Sequence, residues 1–317
     1  MKRASLAAFV LATAMAVCAA AAAQEQYPSR LITVVVPLTP GTTIDILARL
    51  FAESLSKRFG QQVIVANRPG AGGLIAAQTV AGAPADGYTV LLANSGHAIL
   101  GTLNKNLPFD PVADFAGVSL IGDAPTLVTV APSLGVRTLR QFVDLAKAKP
   151  GTINYGSAGI GTATHLAGVY FASRTGTELV HVPYTVSSTI IADLLGGRIS
   201  RDLRAGRVHA SPAADGRLLA LAVAADEPIR EPIAVPTALA AGIDYQNATW
   251  YGFLAPAKTP RPVLQILHDA IAAASEDAKI RAQGITPRNI ELGDLDAHIR
   301  KDMERLEPLL KTIACSN

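Results

Sequence analysis

Cysteine is nearly absent. The 317-residue chain has two, Cys18 and Cys315, close to its opposite ends. Cys18 falls in a segment that export would remove, so no internal disulfide is possible and a chain of this length must be held by its core. Aromatic residues make up 5% of the sequence and the basic residues are scattered. That leaves neither the stacking platform nor the basic stripe of a nucleic-acid-binding protein, and no nucleic acid partner is expected. The formal net charge of +3 includes Lys2 and Arg3; without them the chain is close to neutral. Beyond the N-terminus there is no long apolar run, no Cys/His set at metal spacing and no low-complexity linker, so neither a metal nor an organic cofactor is expected.

What is present starts with an export signal. Lys2 and Arg3 precede an apolar run from Leu6 to Val17, then an Ala-rich end that fits A-x-A cleavage before Gln24. The run is shorter than the ~20 residues a membrane span needs, so residues 1–23 read as a secretory signal peptide. Lipoprotein processing at Cys18 is disfavoured, because Met15, Ala16 and Val17 poorly match the small residue required just ahead of the cysteine.

Residues 31–50, LITVVVPLTPGTTIDILARL, organise the rest. A β-branched apolar run to Val36 predicts a buried strand. Pro37 and Pro40 cannot extend it, Gly41 frees the turn, and Thr42 or Thr43 can cap a helix whose Ile44, Leu47, Ala48 and Phe51 recur at helical spacing. The first amides of such a helix lack partners within it and carry partial positive charge, which makes the loop a site for a carboxylate or other anion. The device recurs at residues 154–166. Strands and helices alternate elsewhere: helix 45–59, strand 62–66, the glycine-rich loop NRPGAGG, helix 74–81, strand 89–93 and a small polar loop at 94–96. This is the pattern of an α/β fold with largely parallel sheets. From Ala124 it restarts, with a strand at 127–131, a helix at 138–149 and a strand at 179–183, and another change of register begins at Trp250. If the amphipathic helices 262–274 and 295–310 pack on the first part, the chain crosses twice, near 126–131 and 247–254. Two crossings make a hinge. The expected division is 24–124 plus 252–317 for one lobe and 125–251 for the other.

These segments carry a resemblance. VVVPLTPGTTIDILAR, VIVANRPGAGG, PADGYTVLLANS, AKAKPGTINYGSAGIGTATHLAG and YGFLAPAKTP resemble the extracytoplasmic solute receptors of the tripartite tricarboxylate transporter family, also called Bug receptors. The resemblance implies a periplasmic-binding-protein fold of the Venus-flytrap kind, with two lobes joined by a two-crossing hinge. It further implies a monomeric periplasmic receptor that captures a small carboxylate in the cleft: a di- or tricarboxylate, an aromatic acid or an amino acid. Delivery would be to the membrane subunits of the transporter or, alternatively, to a membrane two-component sensor. Carried over residue by residue, the ligand would meet Leu38, Thr39, Pro40, Gly41, Thr42, Thr43 and Asp45 of the first loop, and Ser157, Ala158, Gly159, Gly161, Thr162, Thr164 and His165 of the second. Asn94, Ser95 and Tyr184 are additions from neighbouring loops. Asp45 and His165 have a competing reading as residues that only stabilise their helix starts.

No enzyme is expected. Gly159 to Thr164 lacks the third glycine of a dinucleotide fingerprint, and Ser157 is displaced from a nucleophile elbow. The chain departs from the family at 198–215, RISRDLRAGRVHASPAAD, where relatives hold an apolar strand and then a proline-containing helix. Arg201, Arg204 and Arg207 are costly to bury, so this segment is expected at the surface, poorly ordered or paired with anions. Compensating frame shifts in the gene and divergence toward a differently charged cleft both account for it.

Overall fold

β-branched runs and amphipathic helices alternate along the chain and resolve into one mixed sheet in two halves. The structure is a computed structural model that describes residues 27–314 except 105, 187, 206–209, 232 and 289–290. The signal segment, Cys18, Arg207 and Cys315 therefore lie outside the described residues. The strands are β1 (Ile32–Val36), β2 (Val63–Asn67), β3 (Thr89–Asn94), β4 (Phe115–Val130), β5 (Ile153–Ser157), β6 (Leu179–Pro183), β7 (Arg201–Ala205), β8 (Leu219–Val223), β9 (Ala248–Pro256) and β10 (Thr286–Pro287). The helices are α1 (Thr43–Phe59), α2 (Leu74–Ala81), α3 (Leu100–Leu103), α4 (Leu139–Ala148), α5 (Ala163–Thr175), α6 (Ser188–Leu195), α7 (Ala210–Ala214), α8 (Arg261–Ser275), α9 (Ala278–Arg281) and α10 (Asp294–Ala314).

The strand order is β2-β1-β3-β9-β4-β7-β5-β6, with β8 and β10 paired to β4. Pairing is parallel where helices cross over, between β1 and its neighbours β2 and β3 and between β5 and its neighbours β6 and β7. It is antiparallel wherever β4 and β9 take part. The expectation of largely parallel sheets is corrected to a mixed sheet. β9 lies between β3 and β4 and runs against both, so those two strands are parallel to each other, and β4 in turn runs against β7 and β8.

β4 is the structural axis. Its residues Phe115–Pro125 pair with β9, whereas Thr126–Val130 pair with β7 and β8 in the second half. Sequence reading expected only a strand at 127–131. Gly117, Gly122 and Pro125 interrupt the pattern, and the ladder accommodates the first two at register shifts beside them. The return crossing lies at Asn247, whose N–H donates to the Ala224 carbonyl while its own carbonyl accepts from the Thr126 N–H, both across the junction.

Each half has its own core. Phe51, Leu47 and Ile44 of α1 pack with Val34, Phe253, Leu267 and Ile271 on one face of the first half, and Leu91, Val80, Leu254 and Ile299 fill the other. Phe142, Phe171, Val128, Leu221 and Tyr245 form the second lobe's core. Between the lobes, Leu166 of α5 meets Ile99 and the C-terminal helix residues Leu306 and Leu310.

The arginine-rich segment meets the surface only at its described ends, where Arg198 is exposed and ion-paired with Asp193 and where Ala214 and Asp215 are exposed. Arg201–Ala205 forms β7, a central strand between β4 and β5, and both Arg201 and Asp202 are fully buried. The ladder satisfies the backbone on both sides, and the Arg201 guanidinium lies 4.2 Å from the Phe171 ring centroid, with Phe142 and Tyr155 within 6 Å. None of its three nitrogens has a hydrogen-bond partner. Burial pushes its pKa down to about 10. The strand register of the lobe thus prevails over the desolvation of one cation.

Candidate functional site

The loop after β1 is shaped from within. Gly41 takes φ +82°, a left-handed conformation that a side chain would strain, and its N–H then donates to Asp45 Oδ2 at 2.9 Å. Asp45, buried in the first turn of α1, also accepts from Arg49 Nε and Nη2 at 3.1 and 3.0 Å and from Asn67 Nδ2 at 2.9 Å. Burial works against its charge, but the Arg49 fork, the Gly41 amide and Asn67 together hold its carboxyl below the usual range. Asp45 therefore fixes the loop to the helix.

Thr42 sits at the N-cap of α1 but does not cap it; its hydroxyl donates to the Thr39 carbonyl at 3.0 Å. The start of α5 is built differently. Thr162 Oγ1 accepts from the His165 N–H and donates to the Gly159 carbonyl at 2.7 Å. Thr164 Oγ1 accepts from the Ala158 N–H at 3.0 Å, and Ser157 Oγ from the Gly159 N–H at 3.1 Å. His165 Nδ1 accepts from the Gly161 N–H, so that nitrogen carries no proton. Burial and then the neighbouring His181, with ring centroids 4.3 Å apart, push the His165 pKa down to about 4. His181 Nε2 lies 2.6 Å from Ser157 Oγ.

The two helix starts face one cleft between the lobes. Its inner part, about 400 Å³ including space open to solvent, is lined by Leu38, Thr42, Thr43, Ile44, Asn94, Ala158, Thr162, Ala163, Thr164, Thr249 and Tyr251. Leu38, Ala158 and Thr162 also border an outer part of about 930 Å³, with Pro37, Thr39, Pro69, Gly70, Ala71, Gly72, Gly73, Gly159, Ile160, Pro183, Tyr184 and Thr185. Of the residues expected from sequence, Leu38, Thr39, Thr42, Thr43, Asn94, Ala158, Gly159, Thr162, Thr164 and Tyr184 line it. Pro40, Gly41, Asp45, Ser95, Ser157, Gly161 and His165 are not among the lining residues. Asp45, Ser157 and His165 act on the loops from behind, and Ser95 Oγ accepts from the Trp250 N–H, pinning the loop after β3 to β9. The Tyr184 hydroxyl donates to Asp193 at 2.7 Å, and burial followed by that carboxylate pushes its pKa up to about 12.

The lining residues not named from sequence fall into three groups: those next to expected ones, such as Ile44, Ile160, Ala163 and Thr185, the pair Thr249 and Tyr251, and the loop after β2. Thr249 and Tyr251 arrive on β9, more than 80 positions from the second loop, and nothing local marks them. Gly70 to Gly73 belong to the glycine-rich strand-to-helix loop that the sequence already marks at the carboxyl end of a strand, where such folds bind ligands, though not residue by residue.

The model of the tripartite tricarboxylate transporter family receptor matches residues 47–314. The chain belongs to this family. BugT of Bordetella pertussis is 32% identical over 276 residues, 85% of each chain. An R. palustris protein solved with adipate superposes with a TM-score of 0.85 at 32% identity, covering 90% of this chain and 98% of that one. MatC from Rhodopseudomonas palustris, with bound malate, gives 0.82 at 27% identity, covering 89% and 99%. The fold is accordingly the two-lobed periplasmic-binding-protein fold of family receptors, with its candidate site at the junction of the lobes. Among the described residues, no helix is long and apolar enough to cross a membrane.

Proposed function

We propose that this receptor works in the periplasm, captures a small carboxylate between its lobes and delivers it to the membrane subunits of a tripartite tricarboxylate-type transporter. The observation that carries the reading is the convergence of two helix N-termini, Thr42 to Ile44 and Thr162 to Thr164, on one cleft. Their macrodipoles add at the same point, and the α1 start is left without a side-chain cap. The acids bound by the two R. palustris relatives support it. In this reading the ligand touches the lining residues named above, while Asp45 and His165 hold the loops in shape. Residues 1–23 serve as the export signal. The first lobe runs from 24 to about 125 and resumes at about 248, a boundary moved from 252 by the pairing of Ala248–Tyr251 with Gly122–Pro125.

A thermal-shift panel of small carboxylic acids on the mature protein tests the reading. A true ligand at 100 times its Kd adds about 2.7 kcal/mol of stability. Neutral sugars that shifted the melting temperature where no acid did would sink the anion site.

A further inference from the structure

The C-terminal helix α10 is fastened to the first lobe and reaches the second. Its 21 residues span roughly 30 Å. Near its start, Leu295 fills the space where a side chain on Gly117 of β4 or Gly252 of β9 would stand, and Asp296 Oδ1 accepts from the Gly117 N–H at 2.8 Å. Farther along, the buried Asp302 accepts from the Trp250 indole N–H of β9 at 2.9 Å. α10 is thereby fixed to both strands that cross between the lobes. Beyond these contacts, Leu306 and Leu310 are buried together with Ile99 of the first lobe and Leu166 of the second. Leu166 lies one turn into α5, where its N–H donates to the Thr162 carbonyl at 3.0 Å, and Thr162, Ala163 and Thr164 line the cleft.

We propose that α10 is a latch that holds the lobes together in the unliganded protein, with Leu166 as its apolar peg and Ile99, Leu306 and Leu310 as the socket. Rotation of one lobe about the two crossing strands draws α5 away from a helix fixed to the other lobe. Opening then exposes aliphatic surface on all four side chains to water, a cost that falls on the open form alone. The peg and the start of α5 move as one, because a single helical turn joins Leu166 to Thr162. Seating the peg therefore also sets the second helix start in the cleft before any ligand arrives, which biases the population toward the closed form. The latch acts whatever ligand the cleft takes, so it stands apart from the carboxylate reading.

Small-angle scattering of the purified mature protein, with no ligand added, tests this. Leu310→Ala removes part of the socket, and Leu166→Gln puts on the peg a polar group that water solvates once the lobes part. Each should raise the open-to-closed ratio by about tenfold, read as a radius of gyration larger than that of the wild type. Combining the two should add little to either, because one contact is lost only once. If Leu310→Ala does not fold, Leu166→Gln decides alone, since Leu166 is part of neither lobe's own core. A wild-type radius in the folded variants, with or without a lower melting temperature, overturns the latch and leaves these leucines as ordinary packing.

Discussion

Arg201 is the residue most at odds with its surroundings. Its guanidinium is buried against Phe171 and Phe142 with no hydrogen-bond partner, and an uncompensated buried cation opposes folding. Because its pKa is lower in the folded state than in the unfolded one, the penalty is fully present below pH 10 and is relieved only as pH rises beyond that value. Replacing it with an apolar side chain of similar length should therefore stabilise the protein. We expect Arg201→Met to raise the unfolding free energy by about 1–4 kcal/mol. Urea denaturation at pH 7 and 9 should give the same gain at both. A loss of stability would show that the cation–π contacts outweigh the desolvation. Asp45 is the opposite case, a buried carboxylate whose partners repay its burial.

At the scale of elements, α5 and the loop before it depend on a neutral imidazole. His165 must keep Nδ1 unprotonated to accept from Gly161, and its pKa of about 4 lies below the ordinary histidine value. A group depressed on folding contributes stability above its unfolded pKa and loses it as pH falls toward the folded one. The window runs from about pH 6.5 down to pH 4. His97, buried with its Nε2 2.7 Å from the Pro111 carbonyl oxygen, is pushed down to about 4 as well and acts in the same window. Each histidine should account for about 3 kcal/mol lost across it. Denaturation series from pH 7 to 4 should show the fall in wild type and a shallower one in His165→Gln. Equal slopes in the two proteins would mean that His165 is not the group responsible.

For the whole molecule, the question is how closely the lobes can approach. Gly96 of the first lobe faces the second: a Cβ there would lie 3.0 Å from Asn94 Oδ1 of its own loop, and 3.4 Å from the Gly161 carbonyl oxygen and 3.5 Å from the Ala163 nitrogen of the other lobe. Gly72 stands in the same relation to Ile160 and Gly161. Gly96 has φ −64°, so a side chain there brings no backbone strain and acts as a wedge between the lobes. Gly96→Leu should leave the unliganded melting temperature within a few degrees while weakening the ligand identified by the acid panel by about tenfold or more, since contacts made only on closure are lost. Titration calorimetry reads the affinity, and small-angle scattering with and without ligand reads the closure. Wild-type affinity in Gly96→Leu would show that binding does not need this approach.

Local chemistry was enough to read much of this protein from sequence. The strand, turn and helix at Ile32 to Phe59, helix α2 and strand β6 follow from β-branched runs, prolines and helical spacing, which are interactions between near neighbours. The small-residue loops announced the helix starts for the same reason, and ten of the expected site residues line the cleft. Tertiary structure decided what depends on distant partners. It joined Phe115 to Val130 into one strand across both lobes, because Gly117, Gly122 and Pro125 are tolerated only where β9 and β10 run beside them. It brought Thr249 and Tyr251 to the cleft and turned Asp45 and His165 inward onto their own loops. It also placed Arg201 in the core, where pairing with β4 and β5 fixes the backbone whatever side chain it carries.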